Sequence, residues 1–224
     1  MDPGTNDPAG YIHWRDGAIY SVRIIGINHD DKADGTGKAG LTFQFVNCLK
    51  TTYRHRTSYT NSGGWGSSLI KANMYNGDIY KAAPELLRNN MATVTKAYLN
   101  GSVGDSSSIT RKVGQDRFFL PSHAEVVTNL IRNIPSTADK FDFRGLKQEG
   151  SLYAYWAALE IGTTQESFSH LMKTAGDDGA AISTWGTRSC YRGNYTYYMA
   201  TGTAGAWLGA REPVYIYISP CFAI

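Results

Sequence analysis

The sequence predicts one α+β domain, and three observations lead to that fold class. Patterns typical of β-strands occur near both ends and in the middle of the chain, and short helical patterns lie between them. The strand patterns are too sparse for regular βαβ units. No shift in composition follows residue 10, so residues 11–224 are predicted to form a single domain. We interpret residues 1–10 as a linker or an artificial junction, which would suit the C-terminal part of a longer chain.

Composition and charge narrow the classes of protein to consider. Hydrophobic residues make up 42% of the 224 positions and charged residues 18%, which is typical of a folded, loop-rich protein. The net charge of +3 is too weak to indicate a nucleic-acid partner. No apolar run is long enough to cross a membrane, so we expect no membrane insertion. Cys48, Cys190 and Cys221 form no CxxC motif and are expected to be small buried hydrophobes, although a disulfide between two of them stays open.

The first third of the chain predicts a hairpin. Residues 11–28 alternate as one strand, and residues 41–46 return as a second strand, so residues 19–46 form the hairpin. The intervening residues 29–40 are polar and rich in glycine. We interpret their aspartates as part of a solvated turn, because the spacing is not that of a calcium-binding loop: Asp30, Asp31 and Asp34. The basic stretch 53–56 is interpreted as a solvated face.

Helical patterns with capping residues fill the middle of the chain. Ser68 is a candidate N-cap for a helix over residues 69–75, and Gly77 occupies a C-cap position. A second helix is predicted near residues 84–89, followed by a strand over 93–99 and a polar loop over 100–115.

The best-specified helix begins at Ser122. A short buried strand over residues 117–121 leads into the capping box of Ser122 and Glu125, and the apolar pattern predicts a helix that continues to Ile131. Residues 151–159 suit either a helix or a strand, and their alanines favour a helix. Residues 167–173 predict a short helical turn.

Residues 184–224 contain the most unusual composition in the chain. Tyr, Gly, Thr, Ala and Asn dominate residues 191–210, in which Arg192 is the one charged residue. Stiff, half-polar aromatic rings among small adaptable residues are typical of binding loops. The tail from Val214 to Ile224 is β-rich and apolar, so it is expected to lie buried in a sheet. We therefore call residues 191–210 the display segment and predict that flanking scaffold residues hold it.

The candidate residues fall into two sets. The ligand-binding candidates are the aromatic, Arg and Asn residues that are typical of interfaces: Tyr191, Arg192, Asn194, Tyr195, Tyr197, Tyr198 and Trp207. The scaffold candidates flank or support this segment: Trp65, Trp185, Arg188, Pro220 and Phe222. Arg188 is expected to be a buried, hydrogen-bonded residue. The alternative is that the tyrosines form a β region packed under a loop, since strand alternation would direct about half of them inward.

Catalytic motifs are lacking in the sequence. The five histidines show no metal-ligand spacing, and His123 is expected to be exposed or associated with a helix cap. The sequence contains neither GxSxG nor a phosphate-cradling loop. We therefore predict a protein that is not an enzyme and that uses no metal or cofactor.

Several blocks, taken in order, carry a family resemblance. They are VRIIGINHD at residues 22–30 with AGLTFQ at 39–44, TNSGGWGSS at 60–68, FFLPSHAEV at 118–126, WGTRS at 185–189 and SPCFAI at 219–224. Together they resemble an uncharacterised domain family of phage tail-associated and gut-bacterial proteins. The family has the C-type-lectin-like fold, in the branch shared with formylglycine-generating enzymes and with the variable proteins of diversity-generating retroelements. The family pattern has Trp-Leu-Arg-Ser and Arg-Pro-Ala-Phe where this chain has WGTRS and SPCF.

The resemblance implies a binding module. It implies recognition of a protein or glycan on a host cell surface, by a phage tail protein in the virion or by a displayed extracellular bacterial protein, with diversity concentrated in the display segment. Assembly as a homo-oligomer or within a tail is a further expectation. Two alternatives remain: a structural tail domain whose tyrosine patch is a subunit interface, and an oxidase of the formylglycine-generating type. The oxidase would need a reactive thiol, for which Cys190 beside Arg188 and Arg192 is the candidate.

Overall fold

A five-stranded antiparallel sheet, here called the main sheet, forms the centre of the computed structural model. The structure describes residues 8–101, 110–128, 146–161, 163, 166–179, 181–190, 197–201, 207–211 and 213–224. The strands of the main sheet, in spatial order, are β1 (Gly10–His13), β2 (Ile19–Ile27), β3 (Leu41–Phe45), β12 (Cys221–Ala223) and β6 (Phe118–Phe119). The predicted hairpin over residues 19–46 is confirmed, and β2 and β3 pair with a register shift between Ile24 and Gly26.

The C-terminal strand occupies the interior of the main sheet. β12 pairs with β3 on one side and with β6 on the other, so Phe222 lies opposite both Phe43 and Phe118. The prediction that this tail enters a sheet is confirmed. The side chain of the last residue, Ile224, is nevertheless 46% exposed.

Three smaller antiparallel sheets complete the β-structure of the described residues. β4 (Val94–Leu99) pairs with β5 (Arg111–Asp116), and β7 (Lys173–Thr174) pairs with β8 (Ile182–Ser183). The third sheet has the order β11 (Trp207–Arg211), β10 (Tyr197–Thr201) and β9 (Trp185–Cys190). The assignment of residues 100–115 to a loop is wrong for its last five residues, because β4 offers them a partner strand.

Five short α-helices lie among the described residues: α1 (Leu69–Tyr75), α2 (Asp78–Ala82), α3 (Glu85–Asn90), α4 (His123–Val126) and α5 (Ala154–Ala158). 3₁₀ turns occupy Gly64–Ser67, Lys147–Glu149 and Glu166–Leu171. Few short helices with antiparallel sheets confirm the α+β class. The predicted cap of α1 is confirmed, because the Ser68 side chain accepts hydrogen bonds from the backbone of Ile70 and Lys71.

Other boundaries differ from the predictions. Residues 11–28 form two paired strands rather than one, because the chain turns between β1 and β2. Gly77 is the N-cap of α2 and not the C-cap of α1. The capping box of Ser122 and Glu125 is present, but α4 ends at Val126 because Val127 adopts an extended backbone. The remainder of the predicted helix, from residue 129 to Ile131, lies outside the described residues.

An aromatic cluster packs under the main sheet. The Trp14 ring contacts Tyr20, Phe45 and Phe118 edge-on at centroid distances of 5.9, 5.6 and 6.0 Å. Phe222 stacks on Phe43 at 5.1 Å. Such contacts join β2, β3, β6 and β12 through one aromatic core.

Candidate functional site

Strand β9 leads directly into the display segment. All six of its residues, Trp185–Cys190, are buried. β9 pairs with β10, where Cys190 lies opposite Tyr198, and β10 pairs with β11, where Thr201 lies opposite Trp207. The display segment therefore contains β10 and most of β11, and its fixed edge is β9.

The ligand-binding candidates fall only partly within the described backbone. Tyr197 and Tyr198 lie in β10 and Trp207 lies in β11, and their side chains are outside the part of the chain that the structure describes. The other four candidates lie outside the described residues altogether: Tyr191, Arg192, Asn194 and Tyr195. The described side-chain contacts are therefore those of the scaffold that flanks the display segment.

The guanidinium of Arg188 holds β9 in place. Its Nε donates to the carbonyl of Ala97 at 3.0 Å, and its Nη1 donates to the carbonyl of Leu120 at 2.8 Å. Nη1 and Nη2 bind both carboxylate oxygens of Glu125, at 2.5 and 2.8 Å, and Nη2 also donates to the carbonyl of Glu149 at 2.5 Å. All five N–H donors of a fully buried arginine thus have acceptors, and they join β9 to three other elements.

Glu125 is ionised at the centre of these contacts. Its carboxylate closes the capping box by accepting from the Ser122 backbone at 2.9 Å, and it pairs with Arg188 and Lys96. Burial alone would raise the pKa of Glu125, but the two cations outweigh burial and lower this pKa to about 2. A residue chosen by the sequence as a helix cap therefore also neutralises two buried cations.

Lys96 extends the same cluster toward the main sheet. Its ammonium donates to Asp30, to Glu125 at 3.0 Å and to the Tyr153 hydroxyl at 2.6 Å. It also lies 4.1 Å from the centroid of the Phe119 ring. We call Asp30, Lys96, Glu125, Glu149 and Arg188 the buried ionic network.

Asp30 was expected in a solvated turn, and that expectation is wrong. The side chain is buried, and its carboxylate accepts hydrogen bonds from Thr42 at 2.5 Å and from Tyr153 at 2.9 Å. Its neighbour Asp31 is exposed and pairs with Lys38 at the surface. One aspartate of the turn thus points inward because Lys96 supplies the opposite charge.

Glu149 joins the ionic network to the end of β9. Its carboxylate accepts from the backbone N–H of Leu99 at 3.0 Å and from the Ser189 hydroxyl. Burial raises the pKa of Glu149 to about 7, although Arg188 opposes this shift. The Ser189 hydroxyl also accepts from the His123 backbone at 2.9 Å, so two consecutive residues of β9 are held by polar contacts.

The remaining scaffold candidates are also buried. Trp65 and Trp185 are fully buried, and their indole N–H groups donate to Asp116 at 3.2 Å and to the Leu171 carbonyl at 2.8 Å. Pro220 is buried directly before β12, and Phe222 is buried within β12. These contacts place all five scaffold candidates in the interior.

The three cysteines and two of the five histidines are buried. Cys48, Cys190 and Cys221 are free thiols, and burial raises the pKa of Cys48 to about 12 and that of Cys221 further. His123 is fully buried in the first turn of α4, directly after the N-cap Ser122, so the exposed one of its two expected positions is wrong. His55 is likewise buried, so the stretch 53–56 is not a wholly solvated face. Burial lowers the pKa of each of these histidines to about 3.

The described residues contain no group of three or more His, Cys, Asp and Glu residues arranged to hold a metal ion. None of the helices in the described part of the chain is long and apolar enough to cross a membrane. The buried ionic network is saturated with its own hydrogen bonds, so its chemistry is that of a scaffold.

Comparison with known proteins yields no relative. No protein-family model matches the chain, and no curated protein or solved structure matches it.

Sequence inspection missed most of the ionic network. Arg188 and Glu125 were singled out, but Asp30 was misassigned and Lys96 and Glu149 were overlooked. Lys96 could have been found, because strand alternation puts it on the same face as the buried Val94. Glu149 carries no comparable pattern, because it lies in a three-residue 3₁₀ turn.

Proposed function

We propose that this chain is a recognition domain of C-type-lectin-like fold that binds a host cell-surface protein or glycan without catalysing a reaction. The display segment supplies the contacts, with Tyr191, Arg192, Asn194, Tyr195, Tyr197, Tyr198 and Trp207 as the first candidates. The domain serves as a phage tail-associated protein or as a displayed bacterial protein, and its segment is of the kind that diversity-generating retroelements vary.

One observation carries the proposal: a segment with the composition of a binding loop continues from a strand that is buried along its whole length. Arg188 gives β9 five hydrogen bonds to buried partners. A rigid edge lowers the ordering cost that a binding loop otherwise incurs on association. The α+β architecture with short helices is compatible with the proposed fold.

Burial of the three thiols argues against the oxidase alternative. A catalytic cysteine needs a lowered pKa and access to substrate, whereas burial raises the pKa of both Cys48 and Cys221. Cys190 is buried, and its sulfur lies 3.9 Å from the carbonyl oxygen of Asn61. We expect Cys190 to react slowly with an alkylating reagent near neutral pH, and rapid alkylation would favour the oxidase alternative.

Binding to host cells or to a glycan array tests the proposal. We expect Tyr195→Ala or Trp207→Ala to weaken binding by about 2 kcal/mol, roughly thirtyfold in Kd, as the loss of an aromatic hot spot does. Tyr59→Ala is the matched control, because Tyr59 is 65% exposed and lies outside the display segment. Equal losses in all three variants, or none, would contradict the proposed location of the site.

Oligomeric state distinguishes the assembly alternative. If the tyrosines form a subunit interface, the purified chain is a stable oligomer at micromolar concentration and Tyr195→Ala dissociates it. Under our proposal the same variant loses ligand and keeps the molecular mass of the wild type. Comparison of sibling genes gives a second test, since differences confined to residues 191–210 are expected only for a diversified segment.

A further inference from the structure

A cavity lined by basic side chains lies where the β1–β2 hairpin meets the junction of α2 and α3. Its volume is about 310 Å³. His13 and Arg15 line it from the hairpin, and Lys81 and Arg88 line it from the two helices. Residues 82–84 complete the lining, and the Arg15 backbone donates to the carbonyl of Ala82 at 3.0 Å. A direct hydrogen bond therefore fixes the two walls relative to each other.

The local folding explains why the basic groups reach this cavity. Ile12 and Trp14 are buried, so strand alternation leaves His13 on the exposed face of β1. In α2 the buried residue is Ile79, and Lys81 lies exposed two positions later. The small residues Ala82 and Ala83 leave space between the four longer side chains.

The cavity carries an uncompensated positive charge. Arg15, Lys81 and Arg88 carry positive charges, and the described lining includes no carboxylate. Among the residues that the structure describes, no carboxylate lies within 4.0 Å of any of these three groups. Asp16 and Glu85 are the acidic residues next to the lining in sequence, and Asp16 accepts from the backbone of Ala18 at 2.9 Å.

Arg88 is the best-positioned of the cations. Its guanidinium lies 5.8 Å from the centroid of the Tyr80 ring, which orients the planar group. Its Nε is buried, and no hydrogen-bond acceptor among the described residues reaches it. Because Nε has almost no accessible surface, a bound anion would be held by the terminal N–H groups of the guanidinium.

We propose that this cavity is a binding site for a phosphate monoester. Arginine forks bind phosphate oxygens in a bidentate manner, and a lysine adds a point charge. Three cations match a doubly charged phosphate better than a singly charged carboxylate. The volume is at the lower limit of small-molecule sites, of about 300 Å³, which suits a sugar phosphate better than a longer chain. The described lining comes from residues 13–15 and 81–88, outside the display segment, so this site does not depend on the function proposed for that segment.

Calorimetric titration of the full chain tests the site, with inorganic phosphate as the probe and with ionic strength held constant by sodium chloride. We expect one saturable site. Arg88→Gln and Arg15→Gln should each weaken binding roughly tenfold, because each removes charge-assisted hydrogen bonds. Lys112→Gln is the matched control, because Lys112 is exposed on β5, away from the cavity. This variant should bind phosphate with a Kd within about twofold of the wild-type value. Glucose 6-phosphate should bind and glucose should not.

Three outcomes overturn the proposal. One is the absence of saturable binding by phosphate, and another is an unchanged Kd in Arg15→Gln. The third is equal binding of glucose and glucose 6-phosphate, which would show that the sugar and not the phosphate is recognised. Arg15 is exposed, so its variant is expected to keep the melting temperature of the wild type and decides the test even if Arg88→Gln misfolds.

Discussion

The single residue Arg188 fixes the position of strand β9 by binding several other elements. It is buried beside Trp185, and its partners come from a strand, a helix and a 3₁₀ turn. Lysine could not reproduce this arrangement, because an ammonium has three donors and no planar fork. The network therefore defines one position of β9 relative to the rest of the domain.

Arg188→Met is expected to destabilise the protein by about 3–5 kcal/mol, because it leaves Glu125 buried with one cation fewer. Urea denaturation followed by circular dichroism measures the loss. Lys38→Met is the control, since the Lys38–Asp31 pair is exposed and such pairs contribute at most about 1 kcal/mol. Similar losses in both variants would show that burial of the ion pair does not matter.

Strand β12 stabilises the main sheet, because it pairs with both β3 and β6. Phe222→Ala removes a ring that stacks on Phe43 and contacts Phe118 at 5.7 Å, so a loss of about 3–5 kcal/mol is expected. Leu86→Ala, at a side chain that is 78% exposed, should change stability by less than about 0.5 kcal/mol. Thermal unfolding of the two variants provides the comparison, and a small effect of Phe222→Ala would mean that β12 is dispensable.

Elements with local patterns could be predicted from the sequence. The hairpin over 19–46, the Ser68 cap and the Ser122–Glu125 capping box follow from periodicity and short-range hydrogen bonding. β5 could not be predicted, because its sequence is polar and its structure depends on pairing with β4. The inward position of Asp30 likewise depends on Lys96, which is distant in sequence. Strands and charges stabilised by remote partners leave no local pattern.

The whole molecule should lose stability in acid. Burial lowers the pKa of His55 and His123 from 6.5 to about 3, so the unfolded chain takes up protons in this range before the folded chain does. Glu125, whose pKa falls from 4.5 to about 2, adds to the loss below pH 4.5. Glu149 acts in the opposite direction, because its raised pKa of about 7 favours the folded state as pH falls from 7 to 4.5. The two histidines together outweigh Glu149, so the free energy of unfolding falls as the pH drops below 6.5.

The variant His123→Gln tests how much His123 contributes to the loss of stability in acid, because glutamine does not titrate. Between pH 6.5 and 4 the variant is expected to lose about 3 kcal/mol less stability than the wild type, since each pH unit contributes about 1.4 kcal/mol per proton. His170→Gln, at an exposed residue, is the control. Parallel pH profiles of His123→Gln and the wild type in urea denaturation would contradict the role assigned to His123.

The position of β12 between β3 and β6 also affects how the protein is made. On the ribosome, β3 and β6 emerge long before the residues that join them, so a nascent chain carries two strands with unpaired edges. Exposed edges are sites of intermolecular pairing. Residues 221–223 must therefore leave the exit tunnel before the main sheet can close, and chaperones that shield open strands should matter most during that interval.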